Sequence, residues 1–258
     1  MGKTVPEIAK ALNLSITTVR FIINGTAERY RISKKTQAKV QHYIETHGLL
    51  FNHAARSLKL NKTETLEIII TRLSNPFFAR LIETFEVQCR NLGYQLIFSC
   101  SQNDDQEEAK LIKMMLSRGV DGLFIACNSK KSQKNALKIV NKPIVFIDRN
   151  FDVGNINSVI TDNFAGGYEL AKIMLAKHQK PKQSLSELAV FVGAASLPTI
   201  ASRLEGIKHY CEEIGFDASN VIHLKGNTAE HGQHGMCDYL QLNGPPKRMI
   251  TSSLNILE

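Results

Sequence analysis

Residues Thr4–Val40 read TVPEIAKALNLSITTVRFIINGTAERYRISKKTQAKV, and the helix starts and stops within this stretch decide the architecture of the head of the chain. Thr4 is placed to cap a helix that has Pro6 in its first turn and Glu7 at its positive end. Ile8, Ala9 and Leu12 fall at helical spacing, Asn13 offers a left-handed turn, and Leu14 packs beneath it. Ser15 caps a second helix beginning at Ile16, with Val19, Ile22 and Ile23 as its inward stripe and Asn24-Gly25 as its stop. A third helix starts at Ser33 and runs through Val40, Tyr43 and Ile44 to His47-Gly48. Two short helices around a tight turn, covered by a third, predict a helix-turn-helix. In that geometry the second helix enters the major groove, so Ile16, Thr17 and Arg20 are the expected base readers, with Phe21 close by. An arginine grips guanine O6 and N7, while an isoleucine and a threonine methyl suit the thymine methyl. Arg31, Lys34 and Lys35 are expected on phosphates, and Thr4, Ser15, Thr18 and Asn24 complete the candidate DNA-binding set. The same pattern also fits a small three-helix bundle with no nucleic-acid role.

Charge distinguishes these readings. Residues 1–62 carry 11 Lys and Arg against Glu7, Glu28 and Glu45, so they hold the whole formal charge of +8 and the remainder is neutral. A basic module for a polyanion joined to a neutral body is the natural inference. The five cysteines (Cys89, Cys100, Cys127, Cys211, Cys237) form no CxxC pair and read as reduced thiols of a cytoplasmic protein. No apolar segment at the N-terminus reads as a secretory signal, and no apolar run reaches membrane-spanning length.

From Leu66 the pattern becomes apolar runs separated by amphipathic segments. The expected strands are Leu66–Thr71, Tyr94–Cys100, Gly122–Ala126, Ile144–Asp148, Ser158–Thr161, Leu188–Gly193, Val221–Leu224 and Met249–Thr251. Between them lie helical stretches such as Phe77–Leu92, Gln106–Leu116 and Ala165–Ala176. Near-continuous β-branched strands alternating with helices predict parallel sheets covered on both faces, the doubly wound α/β class, with ligands beyond the carboxyl ends of the strands. The polar break at 177–186 (KHQKPKQSLS) is the expected boundary between two lobes. The domain plan is therefore 1–50 for the all-α head, 51–63 for a linker, 64–179 for the first lobe and 180–258 for the second.

At this point the residues resemble a known family. Thr4–Val40 is similar to the head of the LacI/GalR regulators, and the run from Ile23-Asn24-Gly25 through Tyr30-Arg31-Ile32-Ser33 to Lys35-Thr36 resembles their fructose- and sucrose-repressor branch. Asn52-His53-Ala54-Ala55-Arg56-Ser57-Leu58 matches the family's hinge helix. The resemblance implies that Asn52, Ala55 and Leu58 join the DNA contacts, Leu58 as a minor-groove wedge that unstacks a base step. Further matches are Ser74-Asn75-Pro76-Phe77-Phe78, Asp121-Gly122, Ile147-Asp148-Arg149, Thr161-Asp162-Asn163 with Gly166-Gly167, and Ser202-Arg203-Leu204-Glu205-Gly206. They imply a two-lobed body like that of periplasmic binding proteins, with Asn75, Phe77, Phe78, Arg149, Asp162 and Arg203 lining an effector cleft. The chemistry suits a sugar or sugar phosphate: rings cover C–H faces, Asp162 accepts hydroxyl bonds, and the arginines hold hydroxyls or phosphate. Phe77 or Phe78 could equally be core, and Asp148-Arg149 a local ion pair of little weight. The implied protein is a cytoplasmic, nucleoid-associated repressor of fructose- or sucrose-type utilisation genes, a homodimer or tetramer that binds operator DNA and needs no cofactor.

The departures bear on specificity. Asn13 and Arg20 stand where the family usually has small residues, and Phe51 where it usually has Pro. The family also continues past the position of Glu258, which implies an incomplete second lobe; the alternative reading is a non-inducible regulator fragment that keeps only DNA binding. Other constellations carry less. His231, His234 and Cys237 have suggestive spacing, with Glu230 and Asp238 beside them, but positions i, i+3 and i+6 drift around a helix and converge poorly on a metal. Asp104-Asp105 and Glu107-Glu108 read as a solvated helix start. No nucleophile elbow, P-loop or GxGxxG is present, so no enzyme is expected, and a secreted sugar-binding protein would need a signal peptide and have no use for the basic head.

Overall fold

The computed structural model describes residues 2–50, 62–176, 188–216, 221–253 and 256. Asn52, Ala55 and Leu58 of the expected hinge, and the polar break at 177–186, lie outside the described residues. The chain divides into two compact units, Met1–Thr63 and Glu64–Glu258.

The first unit holds α1 (Val5–Leu12), α2 (Ile16–Ile23) and α3 (Lys34–His47). Each start is fixed by a side chain. The Thr4 amide and hydroxyl both donate to Glu7 Oε2, at 2.7 and 2.8 Å, and this lowers the Glu7 pKa. Ser15 and Ser33 accept from the amides of Thr18 and Thr36 at 3.0 and 3.2 Å. Such caps are worth about 1 kcal/mol each. Asn13, at φ 53°, turns the chain between α1 and α2, and the Leu14 amide closes the turn on Ala9 O at 2.9 Å. Ile8, Ala9, Leu12, Val19 and Val40 form the small core.

The second unit contains two parallel sheets. The first has the order β2 (Gln95–Cys100), β1 (Thr65–Ile70), β3 (Gly122–Ile125), β4 (Ile144–Ile147), β5 (Ser158–Val159). Its helices are α4 (Pro76–Asn91), α5 (Asp105–Ser117) and α6 (Lys130–Ile139). Register alternates the two faces of β1. Ile68 and Ile70 pack with Phe78 of α4, and Ile69 packs with Ile112 and Met115 of α5 and Ala136 of α6. Each fully buried isoleucine or phenylalanine contributes about 1.5–3 kcal/mol. The second sheet has the order β7 (Val221–His223), β6 (Leu188–Val192), β8 (Arg248–Thr251), with α7 (Asn163–Leu175), α8 (Pro198–Glu213) and α9 (Ala229–Asn243). Strand β6 is buried along its whole length, with α7 and α8 on one face and Tyr239 of α9 on the other.

Every expected strand is present, most ending a residue or more early where the chain leaves the ladder. The lobe boundary requires correction. Ala171 and Leu175 of α7 lie in one core with Leu188, Val190 and Val192, so the chain changes sheets at 160–162, between β5 and α7, rather than at 177–186. The reason is packing: α7 crosses α8 at glycines. A Cβ on Gly167 would lie 2.1 Å from Arg203 O, and one on Gly206 would lie 2.1 Å from Phe164 O. Both obstacles are backbone, so Gly206→Ala is expected to cost about 2–3 kcal/mol. Thermal unfolding of the full chain should then shift down by roughly 4–12 °C, and an unchanged midpoint would mean that the two helices are not held this close.

Candidate functional site

The first sheet's order reverses at β1, and in such sheets the crevice lies outside the carboxyl ends of the strands. Strand β4 delivers Asp148 and Arg149 there. Asp148 adopts φ 62°, and the Arg149 amide bonds back to Ile147 O at 2.6 Å, a tight turn whose central residue carries strain on the order of 1–3 kcal/mol. Arg149 is 7% exposed. Its Nη1 donates to Cys127 O at 3.2 Å, its Nε lies 3.3 Å from Asp148 Oδ2, and its guanidinium sits 6.0 Å from the Phe78 ring centroid. Burial pushes the Asp148 carboxyl up, while the charges of Arg149 and Arg203 pull it back. Burial likewise lowers the Arg149 pKa, against the opposing pull of Asp148.

The second sheet contributes Arg203 from α8. Its Nε donates to Asn163 Oδ1 and its Nη1 to Ser252 O, both at 2.8 Å. Ser252 in turn accepts the Gly193 amide through Oγ at 3.0 Å. Arg203 is thus fixed by the start of α7 and the end of β8, with its charge felt at Asp148.

The remaining expected ligand residues differ in their placement. Asp162 is exposed and caps α7, accepting from the Ala165 amide at 2.9 Å; it adjoins Asn163, which holds Arg203. Asn75 caps α4 through the Phe77 amide at 3.0 Å. Phe77 is exposed and meets Phe78 edge-on at 5.2 Å. Phe78 itself is fully buried in the β1 core, so it backs Arg149 rather than presenting a face to a ligand. Asp148-Arg149 is a buried pair, not a surface one. Glu108 also needs correction: Asp104 caps α5 as a helix start should, but Glu108 is 1% exposed. It accepts the Asn128 amide at 3.0 Å and the Ser132 hydroxyl. Sequence reasoning missed Glu108, Asn163, Ser252 and the Cys127 carbonyl. His231 and His234 have local partners, Thr228 Oγ1 and Glu230 O, and among the described residues no cluster suits a metal.

In the first unit, α2 exposes Ile16, Thr17 and Arg20 together. Ser15 and Thr18 hydroxyls bond each other at 2.8 Å, which commits them to the cap. Phe21 stacks flat on Tyr30, with centroids 3.5 Å apart and planes 7° apart, and Arg29 lies 5.9 Å from the Tyr30 ring. Tyr30 was not among the expected residues. Asn24, Arg31, Lys34 and Lys35 are exposed, and Thr4 is occupied by Glu7.

The family described as periplasmic binding protein domain matches residues 66–252. The fructose operon regulatory protein of Vibrio cholerae is 35% identical over 67% of the chain. The chain spans about half the length of that relative, 54%. A crystal structure of the Cra transcriptional dual regulator of Pseudomonas putida, in complex with fructose 1-phosphate, superposes with TM-score 0.65 and 26% identity, covering 75% of this chain and 70% of that one. A Lac repressor dimer bound to operator and the anti-inducer ONPF superposes with TM-score 0.82 over 99% of this chain and 75% of that one, at 18% identity, and bears on fold alone. Among the described residues, no helix is long and apolar enough to cross a membrane. With its family model matched from residue 66 to residue 252, the chain belongs to the periplasmic-binding-protein domain family.

Proposed function

We propose that this chain is a sequence-specific DNA-binding regulator of carbohydrate-utilisation genes, acting as a cytoplasmic homodimer and repressing until a sugar or sugar phosphate of the fructose type is bound. In this reading α1 and α2 form a helix-turn-helix, and Asn52, Ala55 and Leu58 form a hinge that engages the minor groove. Arg149, Arg203 and Asp162, with Asn75 and Phe77 at the rim, bind the effector. A ligand moves such an equilibrium only through unequal affinity for its two states. The observation that carries the proposal is the buried Asp148–Arg149 pair at the end of β4, together with an Arg203 guanidinium held by Asn163 and Ser252 O whose charge acts on Asp148. An anion or polyol seated there bridges the two halves of the unit and is held by charge-assisted hydrogen bonds.

Selection of bound sequences from random duplex DNA by the full chain tests the DNA half. A defined, two-fold related site is expected. Arg20→Ala should change the preferred base at one position in each half-site, at about 1–3 kcal/mol per contact, while Lys34→Ala should weaken all sequences alike and reduce the salt slope by about 1. Recovery of no preferred sequence would refute the reading.

A further inference from the structure

Arg149 is held in place by a structure whose anchor lies a layer deeper. The turn between β3 and α6 is pinned from α5: Glu108 takes the Asn128 amide at 3.0 Å and the Ser132 hydroxyl, and Asp105 takes the Ser129 hydroxyl at 2.7 Å. From the other side Ser101 donates to Asn128 Oδ1 at 3.0 Å. This pinned turn presents the Cys127 carbonyl that receives Arg149 Nη1. The first turns of α6 also supply Gln133, fully buried, whose Oε1 accepts the Phe151 amide at 2.9 Å, two residues beyond Arg149. The Asp148–Phe151 segment therefore leans at Arg149 on the turn before α6 and at Phe151 on α6 itself, and that turn and the N-terminus of α6 lean on Glu108.

A buried carboxylate with two donors satisfied is an economical clamp, because removing it leaves those donors without acceptors. Glu108 also has charge to offer: it is one of the groups that favour the cationic form of Arg149. Burial raises its own pKa, and the bonds from Ser132 and Asn128 lower it again.

We infer that Glu108 is the positioning residue for Arg149: it never reaches the ligand, but it fixes the β3–α6 turn that orients the guanidinium at the strand ends. This rests on the proposed effector reading only for its consequence in binding; the positioning itself is a property of the free protein.

The test is the arginine Nε–Hε NMR spectrum of the full chain, with the Arg149 signal identified by its loss in Arg149→Lys. In the wild type that signal should be resolved and slow to exchange. Ser132→Ala removes one arm of the clamp and should speed Arg149 exchange by roughly tenfold, the effect of about one lost hydrogen bond, leaving Arg203 within about twofold. Glu108→Ala should move the Arg149 signal into the solvent-exposed envelope. Glu108→Gln, which keeps an acceptor oxygen, should restore most of its protection. If Glu108→Ala does not fold, Arg203 protection is lost too, and the Ser132→Ala and Glu108→Gln results decide. An Arg149 signal indifferent to Ser132→Ala and Glu108→Gln, or a loss shared equally by Arg203 in a folded variant, overturns the inference. A second arm titrates fructose 1-phosphate: Ser132→Ala should weaken binding in the wild-type background and add nothing in Arg149→Gln. No binding by the wild type would count against the effector reading, while the NMR arm would still decide the positioning role.

Discussion

Arg149→Gln is expected to cost the fold about 3–5 kcal/mol at neutral pH and to remove binding of a phosphorylated sugar by at least about a hundredfold. The reason is the company Arg149 keeps. Its partner Asp148 is almost as buried as itself, and removing one member of a buried ion pair leaves an uncompensated charge at that cost. The Cys127 carbonyl loses its donor as well. Burial already raises the Asp148 pKa with Arg149 present, and without the guanidinium it should rise further. The variant's deficit should therefore shrink as the pH falls through that raised value and Asp148 becomes neutral. Urea unfolding of the full chain at pH 7.5 and pH 5 reads both effects. Equal stability of variant and wild type at pH 7.5 would show that the pair carries no such weight. The loss in ligand affinity follows separately, because a charge-assisted contact to an anion is removed.

The second large effect lies away from the ligand. Glu67 is a fully buried residue in the central strand β1, in register with Ile97 and Leu123, and neither carboxyl oxygen has a hydrogen bond of good geometry. Desolvation raises its pKa to about 6, with Ser99 and Arg118 only partly opposing. A folded pKa above the ordinary glutamate value of 4.5 means that the folded state holds the proton more tightly than the unfolded chain. The resulting cost is absent below about pH 4.5, grows up to about pH 6 and is constant beyond, amounting to about 2 kcal/mol. Glu67→Met replaces the carboxyl with an apolar chain of similar length. It should stabilise the unit by about 2 kcal/mol more at pH 7.5 than at pH 4.5, or roughly 4–8 °C of additional gain in midpoint. A gain independent of pH would place the proton elsewhere.

These two residues also show what the sequence discloses and what it withholds. The strands were legible because β-branched runs such as Leu66–Ile70 have no other stable use, and the head was legible because Thr4, Ser15 and Ser33 act locally, three residues from their partners. Arg149 and Arg203 were singled out only by their resemblance to a family. Their supports were not. Arg203 reaches Ser252 and Arg149 reaches Cys127 through main-chain carbonyls far along the chain, and a carbonyl has no residue type. Glu108 was misread because a pair of glutamates near a helix start normally faces water; here one of them turns beneath α6. The lobe boundary was misplaced for a similar reason, since the polar break at 177–186 is a stronger compositional signal than the quiet change of sheet before α7. Phe78 and Phe77 are indistinguishable in type, and only the register of α4 assigns one to the core and leaves the other exposed.

The most direct test of the account is the affinity of the full chain for its selected duplex DNA, followed by fluorescence anisotropy at fixed salt, with and without fructose 1-phosphate. Nanomolar-range binding is expected, on the order of typical specific complexes, weakened at least tenfold by the sugar phosphate, with the weakening lost in Arg149→Gln. Binding that the sugar phosphate, fructose and sucrose all leave unchanged would refute effector control of DNA binding.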